Sequence, residues 1–427
     1  MNDLKSIYAE QFGISEKAAE CAFKAEQRIR SIFVEIDSVC QKNSLKVLKA
    51  FHDNNISDSH FHGTAGYGYD DMGREAADKV FAQIFGAEGS LVRHNIISGT
   101  HALSVCLFGV LRPGDELLSV TGDVYDSLRK TISCGGKGYG CLSDFGVKFL
   151  KSDLIISEDG SVRFDYDNIK NLLSSKTKAV FIQKSKGYNF RRALSNSQIA
   201  EVISFVKSLD ENIICIVDNC YGEFTEQIEP PQVGADLTAG SLIKNPGGGL
   251  APTGGYVAGK KEYLELVAYK LNAVGLGSEC GATLGFTKPI LQGVFSAPLV
   301  VSQALKIGAF AAALFGDAGF EVIPGCCDKR FDIVQSVKLL TKERLLNFCE
   351  CIQKSSAVDS FVTPTPFAMP GYDCDVIMAA GAFNQGASIE LSADAPITPP
   401  YVCYLQGGLS YYCGKVAVLR AFDKALF

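Results

Sequence analysis

The chain has 427 residues, 47% of them apolar and 21% charged, with a formal net charge of -6. That balance excludes a disordered protein, and the mild negative charge excludes a nucleic-acid binder built on a basic face. The length is too great for one compact core and calls for two domains, or a large domain with a smaller companion.

The polar stretch 1–9 lacks the apolar core of a secretory signal, and no run reaches the roughly 20 apolar residues that cross a bilayer. The expected location is therefore cytoplasmic. Fifteen cysteines are scattered from Cys21 to Cys413 without a CxxC pair. Irregular spacing and an odd count suit reduced, buried thiols better than a disulfide framework. Metal sequestration through these thiols, in a non-catalytic metal-tolerance protein, is the alternative use for them.

Residues 1–50 read as helical, with apolar positions three and four apart over 16–33. The stretch 50–69 is irregular and rich in Gly, His and aromatics, and 73–85 has the spacing of an amphipathic helix. From residue 90 strand-like and helical runs alternate, which predicts a mostly parallel sheet with crossover helices. The expected strands are 90–93, 116–120, 148–150, 179–183, 213–217, 237–243 and 254–258. The expected helices are 101–111, 127–132, 165–173 and 197–209. Residues 279–315 read as mostly helical and lead to a second, α+β unit. Its expected parts are strands at 320–323 and 333–338, a helix at 342–354, strands near 376–383 and 387–391, and a final helix from Tyr411. The expected domains are an N-terminal helical segment (1–65), a large domain (66–300) and a small C-terminal domain (301–427).

Chemistry concentrates at the carboxyl ends of the predicted strands, where ligands bind in such sheets. The apolar run Ile213-Ile214-Cys215-Ile216-Val217 delivers Asp218. Further on comes Gly240-Ser241-Leu242-Ile243-Lys244-Asn245-Pro246-Gly247-Gly248-Gly249. A lysine and a strand-end carboxylate are what a pyridoxal phosphate (PLP) enzyme needs. Lys244 would form a Schiff base with the cofactor aldehyde, and Asp218 would keep the ring nitrogen protonated. Ser98-Gly99-Thr100 opens a helix and offers backbone N–H groups, hydroxyls and a helix dipole to a phosphate. An ordinary Ser/Thr helix cap is the competing reading. Tyr125 stands where its ring can stack on the cofactor, and Ser241 is within reach of the phosphate. Lys184 and Lys186 alternate toward the site as possible cationic contacts. His60 and His62 alternate as on a strand, but no acidic or Cys partner stands at ligand spacing, so no metal site is expected.

These stretches, together with His62-Gly63-Thr64-Ala65-Gly66-Tyr67-Gly68-Tyr69-Asp70-Asp71, Val217-Asp218-Asn219-Cys220-Tyr221-Gly222-Glu223-Phe224 and Ser388-Ile389-Glu390-Leu391-Ser392, resemble the aluminium-resistance / methionine gamma-lyase-like family of fold-type-I PLP enzymes. The resemblance runs from about residue 10 to the C-terminus. It implies an α/β, PLP-dependent transferase-like fold: a mostly parallel large-domain sheet flanked by helices, plus a smaller C-terminal α+β domain. It also implies a homodimer or homotetramer with shared active sites, in which Tyr69 (or Tyr67) and Arg74 reach the phosphate of the neighbouring copy. The implied activity is carbon–sulfur cleavage of an amino-acid substrate, with Lys244 taking the Cα proton and Tyr69 or Tyr125 protonating the leaving sulfur. An aminotransferase or aldolase on the same fold is the alternative. Two departures stand out. Arginines expected around 184–188 are lysines here, and Ile397-Thr398 occupies the stretch where another Arg is expected. Arg330, Arg191 and Arg192 are the remaining candidates for the substrate carboxylate.

Overall fold

The computed structural model describes residues 2–369 and 374–426. Three helices open the chain: α1 (Asn2–Phe12), α2 (Glu16–Arg28) and α3 (Arg30–Asp53). Then follow α4 (Met72–Phe85), β1 (Gly89–Arg93), α5 (Gly99–Val110), β2 (Glu116–Ser119), α6 (Asp126–Ile132), β3 (Lys148–Lys151), the short hairpin β4 (Ile155–Ile156) and β5 (Val162–Arg163), and α7 (Tyr166–Leu172). The central stretch continues through β6 (Thr177–Gln183), α8 (Asn196–Leu209), β7 (Ile214–Asp218), β8 (Leu237–Ser241), β9 (Gly255–Gly259) and α9 (Lys261–Leu271). The long α10 (Thr287–Asp317) leads to β10 (Val322–Ile323), β11 (Val334–Lys338), α11 (Lys342–Lys354), β12 (Val376–Ala379), β13 (Ser392–Pro396), β14 (Val402–Gln406) and α12 (Tyr411–Leu426).

The seven-stranded sheet has the order β1-β9-β8-β7-β6-β2-β3. Only β9 runs against its neighbours. Strands β6, β7 and β8 are buried along nearly their whole length, as expected of parallel strands covered on both faces. Helices α5, α6 and α9 pack one face through Leu103, Leu107, Leu128 and Val267. Helices α7 and α8 pack the other through Ile169, Ile199 and Val202. The second sheet, β10-β11-β14-β13-β12, is antiparallel throughout. It shares a core with α11, α12 and the C-terminal third of α10.

Helix α10 passes straight through residue 300, the expected domain boundary, and contributes to both cores. Its alanine-rich flank receives α2, whose Ala18, Ala22 and Ala25 are fully buried. The helix is long and apolar enough to cross a membrane by length and composition, contrary to the expectation that no run is. In this fold 78% of its most apolar window is buried inside the protein.

Strand positions in the large sheet agree with expectation to within about two residues. The C-terminal sheet agrees less well. Residues 387–391 are not a strand; the strand is β13, and β14 has no counterpart in the sequence reading. Ser392-Ala393-Asp394-Ala395-Pro396 has the composition of a turn, but it is paired on both sides and its first four residues are buried. Tertiary context outweighs propensity there. Helix α10 also begins at Thr287, eight residues after the expected start at 279.

Candidate active site

The parallel strands end on a cavity of about 550 Å³. Strand β7 delivers Asp218 to it, and β8 stops at Ser241, so that Lys244 emerges in the following turn. The glycine run after Lys244 packs backbone to backbone on α10. A Cβ on Gly248 would lie 2.4 Å from the Gly293 carbonyl oxygen, and one on Gly293 would lie 2.3 Å from that of Gly247. No side chain fits between, so the turn that carries the lysine is held against a rigid helix.

Lys244 opens onto the cavity, and its Nζ lies 4.0 Å from the centre of the Tyr221 ring. Tyr221 has φ of 71°, a left-handed conformation that costs a bulky residue free energy. Burial pulls the Lys244 ammonium down, but Cys220, Tyr221, Asp218 and Tyr125 more than offset this and hold it well above the ordinary lysine value. Asp218 is also held above its ordinary value. Burial raises its carboxyl, while Lys244 and the backbone N–H of Cys220, 3.0 Å from Oδ1, lower it. The two groups therefore act on each other as a charge pair across the cavity.

The Ser98 turn lies against the same floor. Ser98 caps α5 by accepting the His101 N–H at 3.1 Å, and a Cβ on Gly99 would lie 2.9 Å from Cys220 Sγ and 3.6 Å from Ser241 Cβ. Thr100 Oγ1 is 2.9 Å from Ser127 Oγ and accepts the Tyr125 phenol at 3.1 Å. Burial pushes Tyr125 well above its ordinary value, so it is a donor at neutral pH. Ser98, Gly99, Thr100, Tyr125, Asp218, Ser241 and Lys244 thus line one cavity, although they come from four separate stretches of chain. These residues fit PLP: an amine for its aldehyde, a carboxylate beside that amine, and a helix N-terminus flanked by hydroxyls for its phosphate.

The structure places the other expected residues outside this chain's cavity. None of Arg330, Arg191 and Arg192 lines the cavity. Arg191 is buried on the carbonyls of Arg192 and Ser185. Arg192 pairs with Asp159 and Asp328, and Arg330 is buried with Nη2 near the Gly325 carbonyl. Lys184 and Lys186 do alternate, but to the side away from the cavity. Lys184 binds Asn196 and Glu226, each at 3.0 Å, and Lys186 donates to the Ile323 carbonyl at 2.8 Å. Ser185 and Gly187 face the cavity instead. Arg74 is 4% exposed, and its guanidinium serves the carbonyls of Gly68, Gly281 and Glu279, which makes it an anchor of its own loops rather than a projecting contact. Tyr69 is exposed, stacked on Tyr67 with ring centres 5.6 Å apart, and lies outside this chain's cavity. His60 and His62 lie at a 3-10 turn, not on a strand, and His60 Nδ1 accepts the Ser57 N–H.

Several residues at the site were not anticipated. Gln183 accepts the Tyr125 N–H at 3.2 Å. The second sheet supplies Asp394, Tyr404 and Gln406, which the misplaced strand concealed. Behind Asp218, Glu223 is fully buried. Its Oε1 accepts the Tyr256 phenol at 2.9 Å and its Oε2 has no partner among the described residues. Burial pushes Glu223 up to about 8.

A parallel-rich sheet with a lysine-bearing turn at its carboxyl edge and a smaller C-terminal unit give the chain the fold of the fold-type-I, PLP-dependent enzymes. Its family follows from the sequence match. Residues 18–426 fit the methionine gamma-lyase family, and the chain belongs to that family. It is 48% identical over 412 residues to the uncharacterized protein YnbB of Bacillus subtilis, covering 96% of this chain and 97% of that one. A carbon-sulfur lyase involved in aluminum resistance from Clostridium novyi superposes with a TM-score of 0.93 at 44% identity, covering 98% of both chains. A Campylobacter jejuni structure that contains a pyridoxyl-lysine shares the fold alone, with a TM-score of 0.61 at 14% identity over 89% of this chain and 99% of that one. Family and neighbours point to a PLP-dependent carbon–sulfur lyase.

Proposed function

We propose that the protein cleaves a carbon–sulfur bond in a sulfur-containing amino acid, with PLP carried on Lys244. The observation that carries this reading is the convergence of Lys244, Asp218 and the Ser98 turn on one cavity. When bound, PLP supplies an electron sink for the pair left at the substrate Cα. The residues of the chain do the rest. Asp218, buried in the floor, holds a proton at the ring nitrogen. Ser98, Thr100 and the backbone N–H groups of Gly99 and Thr100 at the start of α5 would bind the phosphate. The amine of Lys244, once the substrate's own amine has displaced it, would take the Cα proton. The C–S bond breaks with its electron pair on sulfur, which receives a proton and leaves as a thiol. Tyr125, a protonated phenol in the cavity wall, is a donor placed to give that proton. The amino-acid remainder takes up water and is released as a keto acid and ammonia. In the same reading two copies share their sites, with Tyr69 of one copy reaching the cavity of the other.

The test is spectroscopic and chemical. Wild type reconstituted with PLP should be yellow and, after borohydride, carry the cofactor covalently on Lys244. Lys244→Ala should show neither property. Thiol and keto acid should appear together from cystathionine, cysteine, homocysteine or methionine. A colourless wild type ends the cofactor assignment, and a yellow protein inert on all four ends the lyase assignment.

A further inference from the structure

One wall of the cavity comes from the C-terminal sheet. Across β12, β13 and β14, Met378, Asp394 and Tyr404 are direct cross-strand neighbours, so they present one row of side chains to the cavity. All three line it, with Met369 and Val334 beside them. Among the described residues Asp394 is the one charged side chain on that wall. It is 6% exposed. Its Oδ2 accepts Gln406 Nε2 at 2.5 Å, while its Oδ1 has no hydrogen-bond partner among the described residues. Burial pushes the carboxyl up to about 7, with Gln406, Lys244 and Tyr188 pulling it back.

A buried carboxylate with an unsatisfied oxygen is costly, and a cation beside it removes that cost. The same carboxylate repels the α-carboxylate of an amino-acid substrate. The arginines expected to bind a carboxylate are also turned away from the cavity. What meets this wall is therefore the far end of the substrate side chain. Methionines and Val334 suit the sulfur and its methylenes, and Asp394 suits a terminal ammonium.

We propose that Asp394 is a specificity-determining residue that selects S-substituted amino acids whose leaving thiol carries an ammonium group. The inference rests on the lyase reading for its substrate class, but not for its measurement. Three thioethers of similar length separate the charges: S-(2-aminoethyl)-L-cysteine, S-propyl-L-cysteine and S-carboxymethyl-L-cysteine. For the holoenzyme, kcat/KM should favour the aminoethyl compound over the propyl compound by about tenfold or more, with the carboxymethyl compound last. Asp394→Asn, which keeps shape and removes charge, should erase that preference while retaining the cofactor absorbance. Equal kcat/KM for the aminoethyl and propyl compounds in wild type would overturn the proposal, whether or not the variant folds. If none of the three releases a thiol, calorimetric binding of the three compounds to the holoprotein decides the inference in place of kcat/KM, and the lyase reading stands or falls separately on cystathionine, cysteine, homocysteine and methionine. A tenfold preference for the cation supports it, and indifference to charge removes it.

Discussion

Asp218 lies beside a lysine and Glu223 lies beside a phenol, and the two acids do different work because their partners differ. Asp218 faces the Lys244 cation, which offsets part of the burial that raises its carboxyl. Asp218→Asn keeps the size but not the charge. It should lower the rate of C–S cleavage by about 10²–10³-fold while the yellow colour persists, as read by steady-state assay and absorbance on one preparation. Glu223 faces no cation near enough to offset its burial, which raises it from an ordinary 4.5 to about 8. A carboxyl raised on folding binds more protons in the native state, so its contribution to stability is complete below its unfolded value and is lost as pH climbs through its folded value. The stability of wild type relative to Glu223→Gln should thus fall as pH rises from about 4.5 through 8. Urea midpoints across that range measure it, and a difference that does not change with pH would mean that Glu223 titrates normally.

Among the elements, the turn after β8 is the most constrained. Gly293 on α10 and the glycines after Lys244 touch through backbone atoms alone. Gly293→Ala should push that turn off the helix. The expected cost is about 1–3 kcal/mol of stability with retained helical circular dichroism, and a PLP affinity weakened by more than tenfold in absorbance titration. The same region shows what sequence alone discloses. Strand β7 is legible because an unbroken apolar run ends in an acid, and β8 because small residues precede a lysine and glycines. Strand β13 is not legible. Asp394 and Pro396 argue against a strand locally, and only pairing with β12 and β14 makes them part of one. The lysines after β6 fail differently. Their alternation is visible, but alternation does not say which face meets the ligand. Arg192 fails because its partners, Asp159 and Asp328, come from distant stretches of chain, whereas Arg191 and Arg330 turn to carbonyls within six residues of themselves.

Over the whole molecule, α10 ties the two sheets together. Phe315 on that helix is fully buried, with ring centres about 5.5 Å from Phe320, Phe348 and Phe422. Phe315→Ala should cost about 3–5 kcal/mol in urea unfolding. A ligand seated in the cavity touches both sheets, so it should stabilise the chain as one unit. PLP at a hundredfold excess over its Kd should add about 2.7 kcal/mol, and an unchanged midpoint would mean that the cavity does not hold it. The two sealed lysines carry a last consequence. Lys186 is drawn down to about 7 by burial, so at neutral pH much of it is an uncharged, nucleophilic amine, whereas Lys244 before loading is held as an ammonium. By intrinsic reactivity an entering aldehyde would condense with the wrong residue. What directs it is enclosure: Lys186 and Lys184 have no exposed surface, and Lys244 alone of the three faces the opening. Peptide mapping after reductive trapping should accordingly return a single tagged position, and denaturing the protein before the aldehyde is added should scatter the tag over all three.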